Sequence, residues 1–272
     1  MKQYPPFALV KAPAPVFNTA ELGRWFGGEE RNSLLLDDEQ LLRCTETVLL
    51  PGSKVKILEP CTSGSAPLWK ISTREYPFGE EFYVHEHFLD FQEEEPKERA
   101  RLLPSREEIL SRCEGLLGTR YIWGGSWPEG IPSLVKLHPP RDSFELLSRS
   151  LQEMWTLKGV DCSGLLYYAT NGFTPHRTSA LFHFGKEVPL AGKGAEAIAA
   201  ALEPLDLIVW QGHVLIAIEG NRLIESRNPA GVVATDSVAR IAEILKMRNP
   251  IDFALRRWHQ RDESLLDYPP CI

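Results

Sequence analysis

The chain has 272 residues, more than one typical domain, which suits a small module joined to a domain of ordinary size. Its 43% hydrophobic and 25% charged residues supply a substantial core and exclude a disordered chain. The formal net charge of −7, with no long run of Lys or Arg, argues against a nucleic-acid surface and makes an anionic membrane an equally poor partner.

Near the start, Phe7-Ala8-Leu9-Val10-Lys11 is too short and too broken to serve as a signal-peptide core, and no stretch approaches membrane-spanning length, so a cytoplasmic protein is expected. Short apolar runs at 47–50, 54–58 and 81–85 read as strands, with Pro51-Gly52-Ser53 a turn between the first two. A small all-β module over residues 1–92 is expected. Residues 93–104, opening on Glu93-Glu94-Glu95-Pro96-Lys97-Glu98-Arg99, form a solvated connector.

A second domain is expected over 105–272. It opens on the capping-box pattern Ser105-Arg106-Glu107-Glu108, followed by Ile109, Cys113, Leu116 and Leu117 on one helix face, with Gly118 as the stop. A second helix continues from Cys162 to Thr170. The apolar run 214–218 reads as a strand that turns at Gly220-Asn221 into Leu223-Ile224-Glu225. Residues 237–247 read as a helix and 253–258 as a closing strand.

The five cysteines are odd in number and none stands in a C-x-x-C pair, so neither a disulfide framework nor a thiolate zinc site is indicated, and a reducing compartment fits. Cys44, Cys61, Cys113 and Cys271 read as small buried hydrophobes. His85 and His87 share a strand face if the strand continues through them, yet no third ligand is spaced to join them, so they read as solvated edge residues. His138, His176, His183 and His259 give no ligand pattern. No metal and no cofactor are expected.

Cys162 stands apart because Asp161-Cys162-Ser163-Gly164 places it at a helix start, where unpaired backbone N–H groups favour a thiolate. His213, at the start of a strand, can pair with that sulfur and later protonate a departing amine. Glu225 can orient the imidazole, or it can be a solvated charge at a strand end. Strand parity separates the two. A two-residue loop at Gly220-Asn221 puts Glu225 on the wrong face, whereas a three-residue loop from Glu219 to Asn221 puts it opposite Leu215, on the face of His213 and about 7 Å along. That bulged turn needs a left-handed residue, which Asn221 or Gly220 can supply.

Taken in order, Gly118-Thr119-Arg120-Tyr121-Ile122-Trp123-Gly124-Gly125, Asp161-Cys162-Ser163-Gly164, Pro175-His176-Arg177-Thr178-Ser179, Leu205-Asp206-Leu207-Ile208-Val209 and His213-Val214 resemble the successive signatures of the NlpC/P60 cysteine peptidases. The resemblance covers most of residues 105–258. It implies a papain-like α+β core that hydrolyses cell-wall peptides, typically between γ-D-glutamate and a diamino acid such as diaminopimelate. By matching position, Cys162 would be the nucleophile, His213 the base, Glu225 the orienting residue, where the family often has histidine, and Tyr121 a donor to the oxyanion.

Residues 50–58, 68–71 and 82–89 resemble, more loosely, the strands of a bacterial SH3 domain, which implies a small N-terminal β-barrel. In family members built this way that module walls off one end of the cleft. By that analogy, Asp161 and Ser163 would bind the free amine of L-Ala in L-Ala-γ-D-Glu-diaminopimelate, and a peptidoglycan-recycling role would follow. Two rivals stand beside this reading: an inactive cell-wall-peptide binding protein, and an amidase or acyltransferase on the same fold. The long stretch between Gly125 and Asp161 departs from the family. Its part at 143–155 reads as helical, and the 131–156 insertion stands as a lid over the cleft or as a plain surface excursion.

Overall fold

The computed structural model describes residues 4–27, 32–63, 66–79, 81–190, 192–249 and 251–259. Helices and strands are mixed throughout, and the chain divides into two compact units. One holds residues up to 100 together with 122–159, and the other holds 101–121 together with the chain from 160 onward. Cys271 and the end of the chain lie outside the described residues, and no described helix is long and apolar enough to cross a membrane.

The first unit is built on one antiparallel seven-stranded sheet. Its order is Thr45–Leu49, Ala14–Phe17, Phe82–His85, Ala66–Ser72, Lys54–Ser63, Phe7–Val10 and Leu89–Gln92. Among the described residues no pairing joins the Thr45–Leu49 edge to the Leu89–Gln92 edge, so the sheet is open where a closed barrel was expected. The charged connector is tied back to it, with Lys54 Nζ at 2.7 Å from Glu95 and 3.0 Å from Glu98.

Residues 122–159, expected within the second domain, belong to this unit because their apolar side chains complete its core. Ile122, Ile131, Leu134, Trp155 and Leu157 are buried with Phe17, Leu22 and Phe88. The 131–156 insertion is therefore not a plain surface excursion. Its expected helix is broken in two, a single 3₁₀ turn at Phe144–Leu146 and then Arg149–Trp155, because Ser148 caps the second piece by accepting the Leu151 amide at 3.3 Å.

The reading of His85 and His87 as paired edge residues is corrected here. The strand ends at His85 and a 3₁₀ turn, Glu86–Phe88, follows, which turns the two rings apart. His87 is exposed. His85 is fully buried, with its Nε2 at 2.8 Å from Nε2 of His138. His138 in turn stacks on Phe26 and accepts the Trp155 indole N–H at its carbonyl, 2.9 Å away.

The second unit has a six-stranded antiparallel sheet in the order Lys186–Val188, Ala254–Arg257, Leu207–Trp210, His213–Ile218, Arg222–Arg227, Gly231–Asp236. Alternate residues face opposite ways along each strand. Leu207, Val209, Val214 and Ile216 pack with the helices Arg106–Gly115 and Cys162–Ala169. Ile208, Leu215, Ala217 and Leu223 pack with Ala195–Ala201 and Ser237–Met247. The sheet thus lies between two helical layers.

Local signals set these elements. Ser105 accepts the Glu108 amide at 3.2 Å and starts the first helix, whose Ile109 and Cys113 are fully buried. The helix ends at Gly115 and the chain turns at Gly118 (φ 81°), so Leu117 is left 45% exposed and not on the expected buried face.

Gly231 has φ 74°, and a Cβ there would lie 2.3 Å from the Thr119 carbonyl oxygen, which already accepts the Val232 amide at 2.8 Å. Gly231→Ala is expected to destabilise the protein by about 2–3 kcal/mol, read as a lowered denaturant midpoint, because neither backbone can yield without breaking that bond. An unchanged midpoint would show that the two backbones separate freely.

Candidate active site

The site is built on one helix start and one hairpin. Asp161 is the N-cap of the helix Cys162–Ala169, and its Oδ1 accepts the amides of Ser163 at 2.9 Å and Gly164 at 2.7 Å and the Ser163 hydroxyl at 3.0 Å. Cys162 is consequently the first helical residue. The Arg120 carbonyl takes the Val160 amide at 3.1 Å, which sets Tyr121 beside the backbone leading into Cys162.

The hairpin turns through Glu219, Gly220 and Asn221. Ile218 pairs with Arg222 and Ile216 with Ile224, a three-residue loop in which both Gly220 (φ 75°) and Asn221 (φ 56°) are left-handed. Continuing that register puts Glu225 opposite Leu215, on the face that carries His213. The two side chains meet there, with His213 Nε2 2.6 Å from Glu225 Oε2.

Cys162 reaches the same strand from its other face. Its thiol donates to the Gly212 carbonyl at 3.8 Å, and the Val214 amide also points at the sulfur. Pairing between His213–Ile218 and Arg222–Arg227 stops at Ile216 and Ile224, so the sulfur lies along the strand's first residues, beyond that last pair. Gly212 is held in turn by Thr178, whose Oγ1 accepts its amide at 3.0 Å. Among the described residues the hydrogen bond of the thiol therefore goes to the backbone beside His213 and not to the ring itself.

The expectation of a resting thiolate is corrected by the same geometry. Burial first, and then the Asp161 charge, push the Cys162 thiol well above the ordinary range, and the amides of Ser163 and Val214 offset this only in part. Access is not abolished. Cys162 keeps 6% exposure where Cys113 has none.

Glu225 is fully buried yet ionised. Burial acts against its charge, but His213 and Arg240 outweigh it and bring its pKa down to about 2. Asp161 is likewise lowered, as the His176 ring, the Gly164 amide and the Ser163 hydroxyl overcome its burial.

Two of these partners carry no role in the sequence reading. His176 is buried and stacked on Tyr167, with Nε2 3.1 Å from both Asp161 oxygens. Arg240 reaches Glu225 from the helix Ser237–Met247, Nε to Oε1 at 2.7 Å and Nη2 to Oε2 at 3.0 Å. The signal for Arg240 is a cation at helical spacing with Ser237, Ile241 and Ile244, a buried face that requires a carboxylate. No group of three or more His, Cys, Asp or Glu among the described residues is arranged to hold a metal ion.

The chain is similar to several solved structures. NlpC1 from Trichomonas vaginalis shares 15% identity over 94% of this chain and 69% of that one, with a TM-score of 0.35. The peptidoglycan hydrolase RipB from Mycobacterium tuberculosis shares 19% over 57% and 65%, with a TM-score of 0.36. An NlpC/P60 family protein from Bacillus cereus shares 16% over 93% and 63%, with a TM-score of 0.35. The chain thus spans less than two thirds of the last two. No family model matches it, and no curated protein does.

Proposed function

We propose that the second unit is a cysteine peptidase of the NlpC/P60 type, with a papain-like core, that cleaves the γ-D-glutamyl-diamino acid bond of L-Ala-γ-D-Glu-diaminopimelate. The observation that carries the reading is a first-turn cysteine whose sulfur rests on the carbonyl preceding His213, while that histidine is held by a buried, ionised Glu225. The first unit, on its strand pattern, is assigned as the SH3-like module, and a cytoplasmic place in peptide recycling goes with that assignment.

In this mechanism Glu225 occupies Nε2 of His213, which leaves Nδ1 to take the Cys162 proton. The sulfur attacks the carbonyl carbon of γ-D-Glu, and the oxyanion is met by the Cys162 amide at the helix start and by the Tyr121 hydroxyl. His213 then gives its proton to the departing diaminopimelate amine, and water hydrolyses the thioester. Asp161 and Ser163 receive the free amine of L-Ala. Oδ1 of Asp161 takes three bonds from the helix start and, like Oδ2, lies 3.1 Å from His176 Nε2; Oδ2 is the oxygen assigned to that ammonium group.

Wild-type protein is expected to release diaminopimelate from this tripeptide, to leave its N-acetylated form intact, and to lose all turnover on Cys162→Ala with its circular dichroism spectrum unchanged. Turnover by Cys162→Ala would rule the reading out. One observation favours the rival, an inactive peptide-binding protein: the thiol is pushed up and bonds to backbone rather than to His213. That rival predicts tripeptide binding without release, and no alkylation of Cys162 by iodoacetamide at neutral pH.

A further inference from the structure

Arg240 is a buried cation that none of these steps uses. Its side chain is 9% exposed and that of Glu225 not at all. The guanidinium grips both carboxylate oxygens, and its Nη1 lies 2.9 Å from Glu243 one turn along the same helix. Oε2 of Glu225 is therefore shared between Arg240 and His213.

We propose that Arg240 is a positioning residue for His213: by pairing both oxygens of Glu225 it fixes the carboxylate plane and opposes its charge, so that the imidazole works against a paired carboxylate and not a lone one. This rests on the reading of His213 as the base.

The first consequence is geometric. A carboxylate held by one bond can rotate, whereas the planar fork of Arg locks it and keeps Oε2 aimed at Nε2. The proton of the neutral ring is then held on Nε2, and Nδ1 is free to receive another.

The second consequence is electrostatic. A lone buried carboxylate strongly favours imidazolium, and a ring already protonated cannot take a proton from a thiol. Arg240 opposes that protonation, which suits a sulfur that burial keeps as a thiol. Other charged groups stand on the elements packed against this strand. From the helix Cys162–Ala169 come Cys162 and Asp161, the latter held by its cap bonds and by His176. Across the sheet Trp210 pairs with His213, and Arg248 lies over the Trp210 ring, 4.7 Å from its centroid. Glu243 is engaged by Arg240 itself.

The test follows the His213 ring by NMR titration in a Cys162→Ser background, which needs no turnover and so separates this inference from the reading it rests on. Arg240→Met is expected to raise the titration midpoint of the ring by about one pH unit, because the opposing charge is gone. Arg240→Lys keeps the charge but not the fork. It should leave the midpoint within a few tenths of a unit while lowering kcat about tenfold at unchanged KM in the Cys162 enzyme. If Arg240→Met fails to fold, Glu225→Gln is compared with Glu225→Gln/Arg240→Met, where removing the cation should raise the midpoint in the same sense. An unmoved midpoint in these comparisons, or an Arg240→Lys midpoint that moves as far as Arg240→Met, overturns the proposal.

Discussion

Glu225→Gln is expected to lower kcat by about 10³–10⁴ while leaving the fold intact, a loss of the size seen when the orienting carboxylate of a catalytic triad becomes an amide. The reason lies in Arg240, which donates only. The oxygen of the substituted amide must turn toward that guanidinium, so its NH₂ faces Nε2 of His213 and forces the ring proton onto Nδ1. The base is then closed to the thiol. Glu225→Leu removes the acceptor altogether and leaves the buried Nε and Nη2 of Arg240 facing an apolar side chain, with only the exposed Glu243 as counter-charge, which costs about 3–5 kcal/mol. Denaturant midpoints should therefore fall far more for Glu225→Leu than for Glu225→Gln, while both lose activity. A Glu225→Gln enzyme within tenfold of wild type would remove the carboxylate from the mechanism. The ionised carboxylate also sets an acid limit. With its pKa at about 2 against an ordinary 4.5, its share of stability is complete above pH 4.5 and is lost as pH falls from there toward 2.

Much of the site follows from rules that act over a few residues. Asp161 and Cys162 are placed by a capping signal, and the relation of Glu225 to His213 follows from a period of two and the length of one turn. What escapes is what depends on packing at long range. Arg240 and His176 are polar residues whose partners lie 15 residues away on other elements, and although helical spacing puts Arg240 on a buried face, nothing local names the partner of either. The sulfur is misjudged for the same reason. Helix-start amides favour a thiolate, but the burial that opposes them comes from the whole unit. In the first unit, the Phe7–Val10 and Ala14–Phe17 strands are too short to carry a clear alternation, and the four-residue run of the first invites comparison only with a signal core. Residues 131–156 read as an insertion in the second domain because the stretch from Gly125 to Asp161 is long, and only the core shared with the N-terminal sheet shows which unit residues 122–159 serve.

That shared core makes the first unit sensitive to acid. His85 and His138 are hydrogen-bonded to each other and buried, and burial above all brings their pKa values down, to about 4 and about 3. The folded state thus holds both rings neutral, while in the unfolded chain they take up protons from about pH 6.5 downward. Uptake by the unfolded state alone lowers stability. The loss therefore begins as pH falls through 6.5 and grows until the folded rings themselves protonate near 4 and 3, reaching on the order of 3–6 kcal/mol by pH 4. Between pH 6.5 and 4.5 the lowered carboxylates such as Glu225 contribute little, since their own window lies below that. His85→Leu/His138→Leu replaces the pair with apolar groups of similar size, and at pH 7.5 its stability should stay within about 2 kcal/mol of wild type. Its urea midpoint should then fall much less than the wild-type midpoint between pH 6.5 and 4.5. Equal slopes for the two proteins would mean that the buried pair does not carry the acid sensitivity, whereas a flattened slope would tie it to the contact that joins the 122–159 segment to the N-terminal sheet.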